Sequence, residues 1–105
     1  MSRRADEVFR AIADPSRRRM LAILEKEELP LKRIEVSFRM SRPAVIKHLR
    51  VLKSCRLVQV RRQGRQTMHR LNPRPLAAVR DWVAVFDRFW DTHLLRLKGQ
   101  VEKDT

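Results

Sequence analysis

Met40-Ser41-Arg42-Pro43-Ala44-Val45-Ile46-Lys47-His48-Leu49-Arg50-Val51-Leu52 combines a helix cap, an apolar stripe and a run of cations. Ser41 has a side-chain oxygen suited to cap a helix, and Pro43 falls in the first turn that follows, where a missing N–H does no harm. Val45, Leu49 and Leu52 recur at i, i+4 and i+7, so they make one buried stripe on a helix predicted over Arg42 to Lys53. Arg42, Lys47, His48, Arg50 and Lys53 fall on its other face. A capped helix with one apolar stripe and one basic face can lie in a major groove with its N-terminal residues toward base edges.

The neighbouring segments extend this reading. Leu31 to Phe38 is predicted to be a short helix with Leu31, Ile34 and Phe38 inward, separated from the basic helix by a tight turn. Upstream, Asp6 to Ala13 is an amphipathic helix with Val8, Phe9, Ile12 and Ala13 on one face. Asp14-Pro15-Ser16 restarts the chain into a second helix that runs to Glu27, and Leu29-Pro30-Leu31 breaks it. Downstream, Leu57-Val58-Gln59-Val60 and Thr67-Met68-His69-Arg70-Leu71 are β-prone alternating runs. The Arg61-Arg62-Gln63-Gly64-Arg65-Gln66 segment between them gives a hairpin with a basic tip. Pro75 to Lys98 reads as one long helix carrying Trp82, Phe86, Phe89, Trp90 and Leu94, more aromatic surface than a chain this small can hide by itself. The fold class expected is mainly α with a small β-hairpin, as one domain over residues 1–105. Within it, 31–53 forms a helix-turn-helix, 57–71 a hairpin wing and 75–98 a terminal helix.

Charge is segregated along the chain. Residues 36–80 contain no acidic residue and 12 of the 25 Lys/Arg, so the block supplies +12 of the net +13. Concentrating like charge costs self-repulsion, which a polyanionic partner relieves, and a nucleic-acid backbone is the commonest such partner. The single cysteine excludes an internal disulfide and suits a reducing cytoplasm. No apolar run is long enough to span a bilayer, and the N-terminus has no signal-peptide core, so a cytoplasmic location is expected.

The pattern resembles the ArsR family of bacterial and archaeal transcriptional regulators. The likeness is carried by Ile12-Ala13-Asp14-Pro15-Ser16-Arg17-Arg18-Arg19-Met20-Leu21, by the quoted 40–52 stretch, by Leu57-Val58 and Arg61 to Arg65, and by Leu71-Asn72-Pro73 and Phe89-Trp90. It covers about residues 5–98. The resemblance implies a homodimeric, sequence-specific repressor of double-stranded DNA, paired through its first and last helices. On that basis Ser41, Arg42, Pro43, Ala44, Ile46, Lys47, His48, Arg50, Arg61, Arg62, Gln63, Gly64 and Arg65 are the expected DNA-contacting residues. Val8, Phe9, Trp82, Phe86, Phe89, Trp90 and Leu94 are the expected dimer seam. Arg42 is the expected base reader, because a guanidinium can pair bidentately with guanine. The chain departs from the family pattern at Glu35, where a small residue is usual, at Arg39 and Arg56, where glycine is usual, at Arg42, where glutamine is usual, and at Ile46, where a polar side chain is common.

Many members of the family sense metals. Here the basic helix lacks cysteine, and three histidines with one cysteine are few ligands for tetrahedral zinc. No cofactor and no metal site are expected; the alternative is a metal- or redox-responsive repressor using Asp91/His93, with Asp104 further on, or Cys55. His48 is read either as a phosphate contact or as a packed histidine. Arg17, Arg18 and Arg19 are read as one phosphate contact or as salt bridges to carboxylates. An enzyme is not expected, since there is no nucleophile–base pair, glycine-rich phosphate loop or paired-carboxylate signal. The competing class is a basic adaptor that binds RNA or an acidic protein.

Overall fold

The structure, a computed structural model, describes residues 2–90. Its order is α1 (Arg3–Ile12), α2 (Pro15–Lys26), β1 (Leu29–Pro30), α3 (Leu31–Ser37), α4 (Arg42–Ser54), β2 (Val58–Gln63), β3 (Gln66–Leu71), a 3-10 turn (Arg74–Leu76), α5 (Ala77–Ala84) and the short α6 (Asp87–Phe89). Each α-helix from α1 to α4 presents one apolar side inward, and Met20, Ile34, Val45, Leu49, Leu52 and Leu57 are the largest fully buried side chains. They close a single core that also takes in Val8, Ala11, Leu24 and Phe38. Burying a side chain of this size contributes about 1.5–3 kcal/mol.

The helix ends follow the capping signals. Ser41 Oγ accepts from the Ala44 N–H at 3.3 Å and Asp14 Oδ2 from the Arg17 N–H at 2.9 Å. The first helix begins earlier than the sequence predicts, at Arg3, because Ser2 Oγ accepts from the Ala5 N–H. Its buried face is therefore Ala5, Val8 and Ala11, while Ala13 is exposed.

The hairpin is present, and a strand joins it at Leu29–Pro30, where the sequence predicts only a break. Leu29 pairs with His69 and Pro30 with Met68, giving the antiparallel order β1-β3-β2. Proline is tolerated there because β1 is an edge strand. Gln63 pairs with Gln66 across a two-residue loop in which Gly64 has φ 62. A positive φ at the first loop residue is the arrangement of a type II′ turn, which glycine adopts freely.

The last helix is not continuous within the described residues. Bonds from Val85 N–H to the Trp82 carbonyl and from Phe86 N–H to the Val83 carbonyl tighten the chain between α5 and α6. Neither glycine nor proline stands there. The part of the expected helix beyond residue 90, including Leu94, lies outside the described residues, as do Asp91, His93 and Asp104. No helix among the described residues is long and apolar enough to cross a membrane.

Candidate nucleic-acid interface

α4 is fixed by its buried stripe, with Val45, Leu49 and Leu52 all inside the core. That anchoring turns the opposite side outward, so Pro43, Lys47 and Arg50 are exposed, with Ser41 and Arg42 exposed at the helix start. Ala44 and Ile46 are half-buried on the flanks. An Ile46 side chain there offers only apolar contact, such as a thymine methyl accepts.

Arg42 is not free. Its Nε lies 3.8 Å from Glu35 Oε1 on α3. Glu35, unusual for the resembled family, thus holds the expected base reader at the mouth of α4. The pair is exposed on the Arg42 side, so it contributes at most about 1 kcal/mol, and it orients the guanidinium more than it anchors it.

His48 faces inward. Its Nδ1 is 3.4 Å from Arg17 Nη1 and 3.9 Å from Asp14 Oδ2, between α4 and the start of α2. The packed reading of this residue fits the structure better than the phosphate reading. Asp14 is held below the ordinary carboxylate range, chiefly by the Arg17 backbone N–H that it accepts, and also by the Arg17 and His48 charges.

The three consecutive arginines after Asp14-Pro15-Ser16 have structural roles that the sequence does not predict. Arg17 Nε donates to the Ala11 carbonyl at 2.7 Å and its Nη2 to the Arg10 carbonyl at 3.1 Å. Arg18 Nη1 donates to the carbonyls of Ile12 and Ala13 at 2.7 and 3.1 Å. Both cap the open end of α1, where carbonyls lack helical partners and the helix dipole favours a cation. The guanidinium of Arg19 sits 6.0 Å from the centre of the Phe38 ring. Among the described residues their main partners are backbone carbonyls, with His48 beside Arg17 and the Ser16 hydroxyl and Phe38 ring beside Arg19; the Arg17 charge acts on Asp14 without a salt bridge between the two side chains.

On the wing, residues 61–66 are all exposed. Arg61 is nevertheless committed: its guanidinium lies against Glu28 Oε1, and its Nη2 donates to Gln63 Oε1 at 2.8 Å. Glu28 Oε1 is buried and accepts no hydrogen bond of good geometry, so the Arg61 charge is what compensates it. Arg62 and Arg65 have no such partner among the described residues. With Gly64 at the tip, they are the wing cations available to a phosphate backbone.

The cations of residues 36–80 occupy different local settings. Lys47, Arg50, Arg62 and Arg65 are exposed on α4 and the wing. Arg70 donates to Gln59 Oε1 at 3.1 Å and Arg80 is bound to Asp81 at 3.2 Å. Arg56 and Arg74 line a cleft at the far end of α4.

The family-typical glycine positions behave differently from one another. Arg56 has φ 65, the one non-glycine residue with positive φ among those described, whereas Arg39 adopts an ordinary backbone. Arg56 N–H bonds the Lys53 carbonyl and Leu57 N–H bonds the Leu52 carbonyl, each at 3.0 Å, a Schellman cap on α4. A side chain in this left-handed position costs about 1–2 kcal/mol.

Cys55 is 8% exposed and donates weakly to the Leu52 carbonyl. Burial pushes its thiol up, which keeps it protonated and works against thiolate reactivity. No cluster of three or more potential metal-ligating side chains occurs among the described residues.

The aromatic face expected as a dimer seam is largely open. Trp82, Phe86, Phe89 and Trp90 are each 42–50% exposed and, with Val83, line an apolar groove of about 440 Å³. Phe9 is half-buried and meets Trp82 edge-on with ring centres 5.9 Å apart, and Trp82 meets Phe86 at 5.3 Å. Val8, expected in the seam, is 3% exposed and belongs instead to the chain's own core, so it offers no surface to a second copy.

Residues 14–60 match the family described as "Bacterial regulatory protein, arsR family". The chain is 39% identical to the HTH-type transcriptional regulator Rv2034 of Mycobacterium tuberculosis, over 84% of this chain and 79% of that protein. It is 30% identical to the transcriptional repressor SdpR of Bacillus subtilis, over 85% of this chain and 99% of that one. Among solved structures it is similar to the homodimeric winged helix-turn-helix DNA-binding domain of Mb0332 from Mycobacterium bovis, a possible ArsR-family transcriptional regulator. The TM-score is 0.66 at 26% identity, covering 81% of this chain and 79% of that one.

Proposed function

This chain belongs to the ArsR family of bacterial regulatory proteins, and from that premise we propose that it is a homodimeric, sequence-specific repressor of double-stranded DNA acting in the cytoplasm. The family consists of transcriptional regulators, so the chain is not an enzyme. The observation that carries the reading is the outward row of α4: Ser41 caps the helix, the core holds its apolar stripe, and Pro43, Lys47 and Arg50 are left facing solvent beside Arg42. Arg42 and Ile46 read bases, Ser41, Pro43 and Ala44 set the approach of the helix start, and Lys47 and Arg50 neutralise phosphates. The wing adds Arg62 and Arg65, with Gln63 and Gly64 shaping the tip. Two copies pair through Phe9, Trp82, Phe86, Phe89 and Trp90, because an exposed apolar groove of this kind is removed from water by a matching face. His48 and Arg61 act indirectly, through Asp14 and Glu28.

Selection of bound duplexes from a random pool tests the reading. An inverted repeat, with half-sites about one turn (10–10.5 bp) apart or a multiple of it, is the expected product. Failure to enrich any sequence contradicts it. The competing reading, a basic adaptor for RNA or an acidic protein, is separated by competition, since duplex RNA has a deep, narrow major groove that excludes a helix.

A further inference from the structure

The C-terminal end of α4 opens onto a cleft of about 560 Å³. α4 has 13 residues, so this cleft lies roughly 20 Å along the helix from the Ser41 end. Its walls come from α1, the α4 cap, β2 and the segment that enters α5. Arg4, Arg56 and Arg74 line it, together with the side-chain amides of Gln59 and Asn72. Among the described residues none of the three guanidinium groups has a carboxylate or hydrogen-bond partner. Glu7, the carboxylate on the cleft wall, is engaged by Arg3 at 3.6 Å. A second cavity of about 420 Å³ shares Gln59, Asn72 and Arg74 and carries the basic wall on to Arg70.

Arg56 is also the residue held in the left-handed conformation. A glycine would complete the same helix cap without strain but would leave the cleft one cation short. Strain of this kind collects at functional sites, where the side chain is needed at that place.

We propose that the cleft binds a small polyanion, a compact oxyanion carrying two or more negative charges on phosphate or carboxylate groups. Guanidinium forks match both groups in bidentate geometry, and clefts of roughly 300–1,000 Å³ are the usual size for small-molecule sites. The site stands apart from the DNA-contacting row and does not depend on it. A ligand bridging Arg4, Arg56 and Arg74 ties α1 and the entry to α5 to the end of α4, so its occupancy couples to operator affinity, and by linkage operator binding changes anion affinity by the same factor.

Calorimetric titration of the full chain with inorganic pyrophosphate, and separately with citrate, at ionic strength held constant with sodium chloride, tests the site. One saturable site per chain is expected, and the tighter of the two anions identifies phosphate or carboxylate as the preferred group. Arg74→Ala and Arg56→Gly are each expected to weaken binding about tenfold or more, the effect of one lost charge-assisted contact. Lys32→Ala, an exposed cation on α3, is expected to leave it unchanged. Arg56→Gly relaxes the backbone, so its thermal midpoint is expected to hold or rise, and lost binding then cannot be ascribed to unfolding. The proposal is overturned by failure of both anions to saturate, or by equal weakening in Lys32→Ala. It is overturned too if Arg74→Ala and Arg62→Ala lose operator affinity equally, since Arg74 would then be a DNA phosphate contact.

Discussion

Asn72 Nδ2 donates to the backbone carbonyl of Arg56 at 2.9 Å, and this bond joins the end of the wing to the strained residue that terminates α4. The Asn72 N–H meanwhile bonds the Leu57 carbonyl at 2.8 Å. One side chain thus fixes the reader helix's cap against the sheet. Two stability effects of opposite sign follow. Asn72→Ala is expected to lose about 1 kcal/mol, the net value of a hydrogen bond. Arg56→Gly is expected to gain up to about 1 kcal/mol by removing the left-handed penalty, offset in part by the entropy of a freer unfolded chain. Urea unfolding midpoints measure both; a destabilised Arg56→Gly contradicts the strain.

Arg17 is expected to matter for stability more than for DNA. Arg17→Ala removes two bonds to the α1 terminus and the contact with His48, a loss of about 1–3 kcal/mol. Arg17→Lys is expected to recover only part of this, because an ammonium cannot reproduce the fork. Comparing thermal midpoints with affinity for a fixed duplex checks the assignment. A variant of normal stability with weak binding would make Arg17 a phosphate contact instead.

The wing arginines are expected to separate. Arg61→Ala leaves the buried Glu28 oxygen without its counter-charge and is expected to cost roughly 0.5–1 kcal/mol of stability, a value discounted because Arg61 is half exposed. Arg62→Ala is expected to leave stability alone and weaken operator and random DNA alike. Arg42→Ala is expected to reduce the difference between operator and random DNA, and Glu35→Gln, by releasing Arg42, to change it in a different way. Equal losses on both DNAs for every variant rule out this division of labour.

His69 gives the fold an acid sensitivity. It is buried on the central strand, with Nδ1 3.3 Å from the Leu29 carbonyl oxygen, and burial lowers its pKa below the ordinary 6.5. The unfolded chain therefore takes up a proton at a pH where the folded one does not. Stability is fully present above 6.5 and falls as the pH drops from there toward the folded pKa. Asp14, also lowered, adds a loss only as the pH falls below 3.8. His69→Gln is expected to flatten the unfolding midpoint between about pH 7.5 and 5.5. A profile that is unchanged in this variant contradicts the assignment.

The parts of the fold legible in the sequence are those with local causes. Ser41 and the Asp14-Pro15 pair mark helix starts, Val45, Leu49 and Leu52 mark a buried stripe, and Gly64 marks the wing tip. What was not legible depends on long-range contact. β1 is two residues long, too short for any periodicity, and exists because β3 pairs with it. The jobs of Arg17 and Arg18 are done on backbone carbonyls, which no side-chain pattern reveals. Cys55 reads as a candidate sensor until its burial is known. The sequence shows where the charges of residues 36–80 fall along the chain, but not that Arg56 and Arg74 line a cleft at the far end of α4.

Operator affinity measured as a function of salt tests the DNA-binding assignment most directly. If a pair of chains neutralises roughly 6–10 phosphates, log K falls with log salt at a slope of about −5 to −9, and Arg62→Ala lowers that slope by about 1 for each subunit. A slope near zero, or duplex RNA competing as well as duplex DNA, would contradict a groove-bound basic helix.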